Sequence, residues 1–286
     1  MPQPEFTRSD LLHAALAAVR DGAGEVMRIY EDNVERLRST RSREVSLFEY
    51  ASQRSDRAII AALWRYAPEV AIVSERGDDL AFVGEEMLEQ PAWFVDPLDG
   101  ANGFNRSTGA FTIGIGLVER CNPILGVVYA PDRGVLYAGE VECGAVRAAV
   151  DWERWCGGDR TLDVLEEAAW LPQNRRYPQR FRLFVPEGRM SGETRAYVEE
   201  RRSEEPELEL DSAPCPIRLC AVAEGTAEEA TTLDPSMEWN TAAGDAIARA
   251  AGCHVRMWPD GFSLIYNKSA HSNPAFIVTG AGVPVH

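Results

Sequence analysis

Near the N-terminus apolar residues recur at helical spacing. Leu11, Leu12, Ala15, Val19, Ala23, Val26, Met27 and Tyr30 share one broad face, and Thr7 with Asp10 three positions on supplies a start signal. The pattern predicts an amphipathic helix over 7–31. The basic run 36–43 then breaks the period and reads as an exposed loop. A second helix is expected over 52–66, stopping before Pro68, followed by a short buried strand at 70–73 that delivers Ser74 and Glu75. The strongest β signal lies between 92 and 139. Strands are expected at 92–95, 110–119, 124–130 and 135–139, with turns at Cys121-Asn122-Pro123 and Pro131-Asp132-Arg133-Gly134. Such a meander requires at least one antiparallel sheet.

Residues 151–180, rich in Trp, Arg and Pro, show no clear period. Beyond them a strand at 181–185, a helix at 191–202, a strand near 208–210 and helices at 217–224 and 240–251 alternate in the α/β manner, with Gly252 as a C-terminal stop. Two parts in one compact unit are expected, 1–150 and 151–286.

Composition narrows the function. The 286 residues are 45% hydrophobic and 26% charged, as in a soluble globular protein. No apolar run is long enough to span a bilayer, and the first residues lack a signal-peptide pattern, so the cytoplasm is the expected location. A net charge of −16 argues against a nucleic-acid polymer or an anionic membrane as partner. It leaves room for a small anionic substrate, because a metal ion or a few arginines reverse the field locally. Lys268 is the only lysine, which removes any Walker-type phosphate loop. The six cysteines form no CxxC pair and read as reduced thiols, and the four histidines are scattered and read as structural or surface residues.

One segment carries chemistry. Asp96-Pro97-Leu98-Asp99-Gly100 follows a buried strand, so two carboxylates and the backbone carbonyl between them can face one hard divalent cation. A plain surface turn uses the same residue types. Its neighbourhood decides between them. Residues 96–131 read DPLDGANGFNRSTGAFTIGIGLVERCNPILGVVYAP. Further on stand Glu238-Trp239-Asn240-Thr241-Ala242-Ala243-Gly244, Asn273-Pro274-Ala275-Phe276 and, upstream, Val73-Ser74-Glu75. These blocks closely resemble the inositol monophosphatase superfamily, and within it the 3′(2′),5′-bisphosphate nucleotidases, whose patterns run DPLDGT-K-E-F, W-D-x-A-A-G, N-P-x-F and S-E-E.

The resemblance implies an α/β fold built as a five-layered αβαβα sandwich, a homodimer, and Mg²⁺-dependent hydrolysis of a small phosphorylated metabolite. It places a first metal on Glu75, Asp96 and the carbonyl of Leu98, and a second on Asp96, Asp99 and residue 240. Glu75, Asp99 and Glu49 become the catalytic candidates. Gly100, Ala101, Asn102, Arg106, Arg218 and Asn240 become the substrate-binding ones.

Departures from the family pattern fall on the chemistry. Asn240 stands for an Asp, Ala101 for the DGT threonine, Arg76 for the second Glu of S-E-E, and Glu49 for an Asp. Cys215-Pro216 replaces a serine pair, and Arg218 a lysine. One Mg²⁺ site is therefore expected, with a weak second site and weakened phosphatase activity. A repurposed biosynthetic enzyme and a catalytically silent binding protein are the alternatives. Glu85 and Glu86 read as a solvated loop rather than ligands. Arg106 and Arg218 serve either substrate phosphate or surface pairs, and Trp152, Trp155 and Trp170 serve packing rather than a nucleobase pocket.

Overall fold

The computed structural model describes residues 7–39, 45–77, 90–157, 161–172 and 180–283. Its first helix, α1, spans Ser9–Ser39. It therefore continues into the basic run expected to be a loop. Glu, Arg and Leu are good helix formers, so a polar turn can extend a helix with no apolar face to signal it. The rest of that run, 40–43, and Glu85 with Glu86 lie outside the described residues.

Helix α2 spans Val45–Tyr66 and begins seven residues before its expected start. Its buried face mixes Phe48, Ala51, Ile59 and Leu63 with Ser52, Ser55 and Asp56, and that polar share hides the period. At the crossing with α1, a Cβ on Gly22 would come within 2.7 Å of Ile59, so glycine is what lets the helices approach.

Seven strands make the first sheet: β1 (Ala71–Ser74), β2 (Ala92–Asp99), β3 (Thr112–Glu119), β4 (Asn122–Ala130), β5 (Val135–Glu140), β6 (Gly144–Ala149) and β7 (Ala169–Trp170). They follow one another in sequence order, with β1 parallel to β2 and every later pair antiparallel. The β3–β4 turn falls at Arg120 and Cys121, at φ 49° and 62°, rather than at 121–123, because Asn122 already pairs with Glu119.

Alternation along β3 sorts the two faces. Ile113, Ile115 and Leu117 face α1 and α2 in one core. Gly114, Gly116 and Gly126 face the other way, where a Cβ on Gly126 would meet the Ala243 carbonyl oxygen at 2.1 Å. Those glycines form a trough for α7 (Glu238–Ala250), which lies beside α6 (Cys215–Glu224) as a middle layer. Below that layer is a second sheet of β8 (Arg182–Pro186), β9 (Glu209–Ala213), β10 (Glu229–Thr232), β12 (His254–Met257) and β14 (Phe276–Thr279). Its order is β12-β14-β10-β8-β9, with a separate ladder of β11 (Ser236–Met237) and β13 (Ser272–Asn273).

Helix α5 (Gly192–Glu204), capped by Ser191, packs Tyr197 and Val198 on the outer face against Leu183, Val185 and Ile277. The layers are αβαβα, as expected. Trp155, in the short α4 (Trp152–Gly157), is buried edge-on to Tyr129, on which Trp152 stacks, and Trp170 packs against the same core. All six cysteines are free thiols.

Candidate active site

The site forms where the C-terminal end of β2 meets the N-terminal ends of α6 and α7. Parallel pairing sets Ser74 beside Val95 and brings Glu75 up to Asp96, with the Glu75 N–H bonded to the Val95 carbonyl at 3.2 Å. Pro97 has no N–H to give, and the ladder with β3 slips between Asp96 and Asp99. That slip turns both carboxylates toward the same end of the strand. Gly100 then takes φ 96°, with the Ala110 carbonyl oxygen 2.3 Å from where a Cβ would sit, so no other residue fits this turn.

Each inner carboxylate is held by N–H donors. Asp99 accepts from the Gly100 backbone at 2.7 Å through Oδ1, and from the Cys215 backbone at 3.2 Å through Oδ2. Asp96 is 1% exposed. Its Oδ2 accepts from Asn240 Nδ2 at 2.8 Å, while its buried Oδ1 has no hydrogen bond of ordinary geometry among the described residues. Asn240 cannot turn its amide oxygen to the site freely, because that oxygen accepts the Met237 N–H at 3.2 Å in the cap of α7. Burial, then the charges of Asp99 and Glu75, push Asp96 well above the ordinary carboxylate range. Burial also raises Asp99 and Glu75, the latter opposed by Arg76 and reinforced by Asp99.

The outer wall is wetter. Glu49 on α2 pairs with Arg76, whose Nε donates to Ser52 Oγ at 3.0 Å. Ser74 Oγ donates to Asp56, and Ser55 Oγ to the Pro97 carbonyl at 2.8 Å, so α2 is tied to both strand ends. An open cavity of about 710 Å³ lies over this wall, lined by Glu49, Asp56, Arg57, Glu75 and Arg76 among others.

The remaining candidates are spread around this centre. Ala101 and Asn102 are exposed at the start of α3 (Ala101–Asn105), and Arg106 is exposed at its end. The Leu98 N–H supports Asp96 while its side chain is buried in the core. Among the described residues Arg218 makes no surface pair. It is 3% exposed and donates to the Ala213 carbonyl at 2.9 Å and to Thr232 Oγ1 at 2.8 Å, so it reaches Asp99 only as a buried positive charge. Among the described residues, no three His, Cys, Asp or Glu side chains converge as a ready metal cage.

Five further residues contribute to the site. Ser52, Ser55 and Asp56 continue from Glu49 at helical spacing, a polar stripe that could have been recognised as a functional face. Glu187, just past β8, feels Asp99, Arg218, Arg133 and Arg106. Glu238 is buried and accepts from the backbone N–H groups of Asn267 at 3.0 Å and Lys268 at 3.1 Å, and pairs with Lys268 Nζ and His271 Nδ1. It fixes the start of α7 two residues before Asn240.

Comparison with known proteins agrees with this architecture. The 3′(2′),5′-bisphosphate nucleotidase CysQ of Salmonella typhimurium is 30% identical over 271 residues, covering 94% of this chain and 99% of its own. The crystal structure of CysQ from Bacteroides thetaiotaomicron superposes with a TM-score of 0.83 at 30% identity, covering 96% of this chain and 98% of that one. Inositol monophosphatase II of Staphylococcus aureus shares the fold, with a TM-score of 0.71 at 18% identity over 96% of this chain and 90% of its own. The inositol monophosphatase family pattern spans residues 7–274, and the chain belongs to that family.

Proposed function

We propose that this protein is a Mg²⁺-dependent phosphomonoesterase of the 3′(2′),5′-bisphosphate nucleotidase type, acting slowly on a small nucleotide or sugar phosphate. The observation that carries the reading is the buried Oδ1 of Asp96, which has no hydrogen bond of ordinary geometry among the described residues and lies in repulsive reach of Glu75 and Asp99. A buried carboxylate oxygen with like charges around it suits a cation, and a hard divalent ion suits an all-oxygen donor set. Glu75 and Asp96, with the Leu98 carbonyl, would hold it. A second ion between Asp96, Asp99 and Asn240 is disfavoured, because the Asn240 N–H group already sits on Asp96.

When bound, Mg²⁺ would neutralise phosphoryl oxygens and lower the pKa of an attacking water. The chain's own residues then orient and deprotonate. Glu75 would accept a proton from the attacking water, and Asp99, fixed by two backbone N–H groups, would hold the turn at Gly100 in place. Ala101 has no hydroxyl to relay that proton, and Asn240 adds no charge near the leaving oxygen, so slow turnover is expected. Arg106, exposed at the end of α3, would meet a second anionic group of the substrate. We further propose a cytoplasmic homodimer. Among the described residues no helix is long and apolar enough to cross a membrane.

The test is phosphate release with Mg²⁺ from adenosine 3′,5′-bisphosphate, inositol phosphates and sugar phosphates. Slow, Mg²⁺-dependent release from one class supports the reading. Turnover at ordinary enzyme rates refutes the weakening, and no release from any class moves a repurposed enzyme ahead. A monomeric mass in solution refutes the dimer.

A further inference from the structure

Arg76 is held in the acidic outer wall at three points. It pairs with Glu49, donates from Nε to Ser52 Oγ at 3.0 Å, and its backbone N–H reaches Ser74 Oγ at 3.4 Å. Both side-chain contacts lie on α2, while the backbone of Arg76 follows the end of β1, so the residue bridges the two elements that frame the cavity. Its head is 24% exposed and lies among Glu49, Glu75 and Asp56, each within its electrostatic reach.

A guanidinium cannot be deprotonated or exchanged, and it repels a divalent ion at close range far more strongly in a half-buried wall than in water. The carboxylate it grips is also taken out of the ligand set. On the inner side Asn240 does the same to one oxygen of Asp96 with a neutral N–H group. Between these two nitrogen donors stand the oxygens of Glu75 and Asp96 Oδ1, to which no side-chain nitrogen donates among the described residues.

We propose that Arg76 is a built-in cation that replaces a metal ion at the outer wall and limits the site to one divalent ion. The inference rests on the phosphatase reading insofar as it takes that one ion to bind at Glu75 and Asp96. It assigns Arg76 as a residue that sets metal number, and Glu49 as its anchor rather than a ligand.

The experiment is a Mn²⁺ titration of the full chain, by calorimetry and by electron paramagnetic resonance of free Mn²⁺. Wild type is expected to take up one ion. Arg76→Gln removes the charge and frees Glu49, and is expected to take up two. Arg76→Lys keeps the charge and stays at one. The double variant Arg76→Gln with Glu49→Gln returns to one, because the ligand has gone with the cation. Two ions on wild type overturn the proposal whether or not the variants fold, and so does one ion on a folded Arg76→Gln protein. Wild type and variants that bind no Mn²⁺ overturn the phosphatase reading as well. That outcome is distinct from one ion on both proteins, which overturns the Arg76 assignment alone.

Discussion

The inner and outer walls of this site hold their carboxylates in different ways. Inside, Asp96 and Asp99 are gripped by N–H groups that arrive from far along the chain, from Asn240 and from the backbone of Cys215. Outside, Glu49 is gripped by a charge, Arg76, in partial contact with water. The inner arrangement exists only once α6 and α7 have docked on the first sheet. The outer one needs only α2 and the end of β1. Breaking an inner hydrogen bond therefore strands a buried polar group, whereas water takes the place of a broken outer one.

The sharpest way to break the inner wall is behind it. Glu238→Ala would leave Lys268, His271 and two backbone N–H groups without their shared acceptor. Loss of one partner from a buried charge network costs about 3–5 kcal/mol. In a chain of this size that lowers Tm by roughly 10 °C. Scanning calorimetry checks it, and a change under ~1 kcal/mol would mean that α7 is held mainly by its fit into the glycine trough.

Next comes the buried carboxylate of the proposed metal position. Asp96→Ala should weaken Mn²⁺ binding and kcat/KM by at least ~100-fold, equivalent to ~2.7 kcal/mol. Calorimetry and phosphate release measure the two separately. If binding survives while turnover falls, Asp96 acts on the chemistry rather than as a ligand.

A smaller effect of opposite sign is expected from restoring the missing groups. On the proposed mechanism, Ala101→Thr with Asn240→Asp would supply a hydroxyl at the water and a charge at the leaving oxygen, and should raise turnover by at least ~10-fold, or ~1.4 kcal/mol. Asp at 240 also removes the N–H group that now occupies Asp96, so a second Mn²⁺ event should accompany the gain. A double variant that folds, binds metal and stays inert on every phosphate tried would show that the pocket is remodelled beyond these two positions.

Legibility follows the same divide. The 96–131 segment was readable because its strands pair in sequence order and its turn needs Pro and Gly at fixed places. Strands β10 and β12 were not, being four residues each and carrying Glu, Thr or Arg where an apolar alternation would be sought. Buried Glu229 is satisfied by Tyr197 and Arg201 from α5, an interaction no local pattern announces. At the site, the residue types at 76, 101 and 240 could be read as departures. That Arg218 points into the protein, and that Asn240 gives its N–H side to Asp96, are consequences of docking and had no local signal.

The smallest effect belongs to the outer wall and tests the comparison from its weak side. Glu49→Gln keeps the shape of the side chain and a hydrogen-bond acceptor for Arg76 but removes the charge. Glu49 is 45% exposed in this pair, so water screens the attraction and can solvate Arg76 when its partner becomes neutral. The expected loss of stability is under ~1 kcal/mol, and added salt should shrink it further, because an exposed pair is screened while a buried one is not. Thermal melts of wild type and variant at low and high salt measure both quantities. A salt-independent loss above ~2 kcal/mol would place Glu49 and Arg76 among the groups on which folding depends, and the two walls would then be held by the same physics after all.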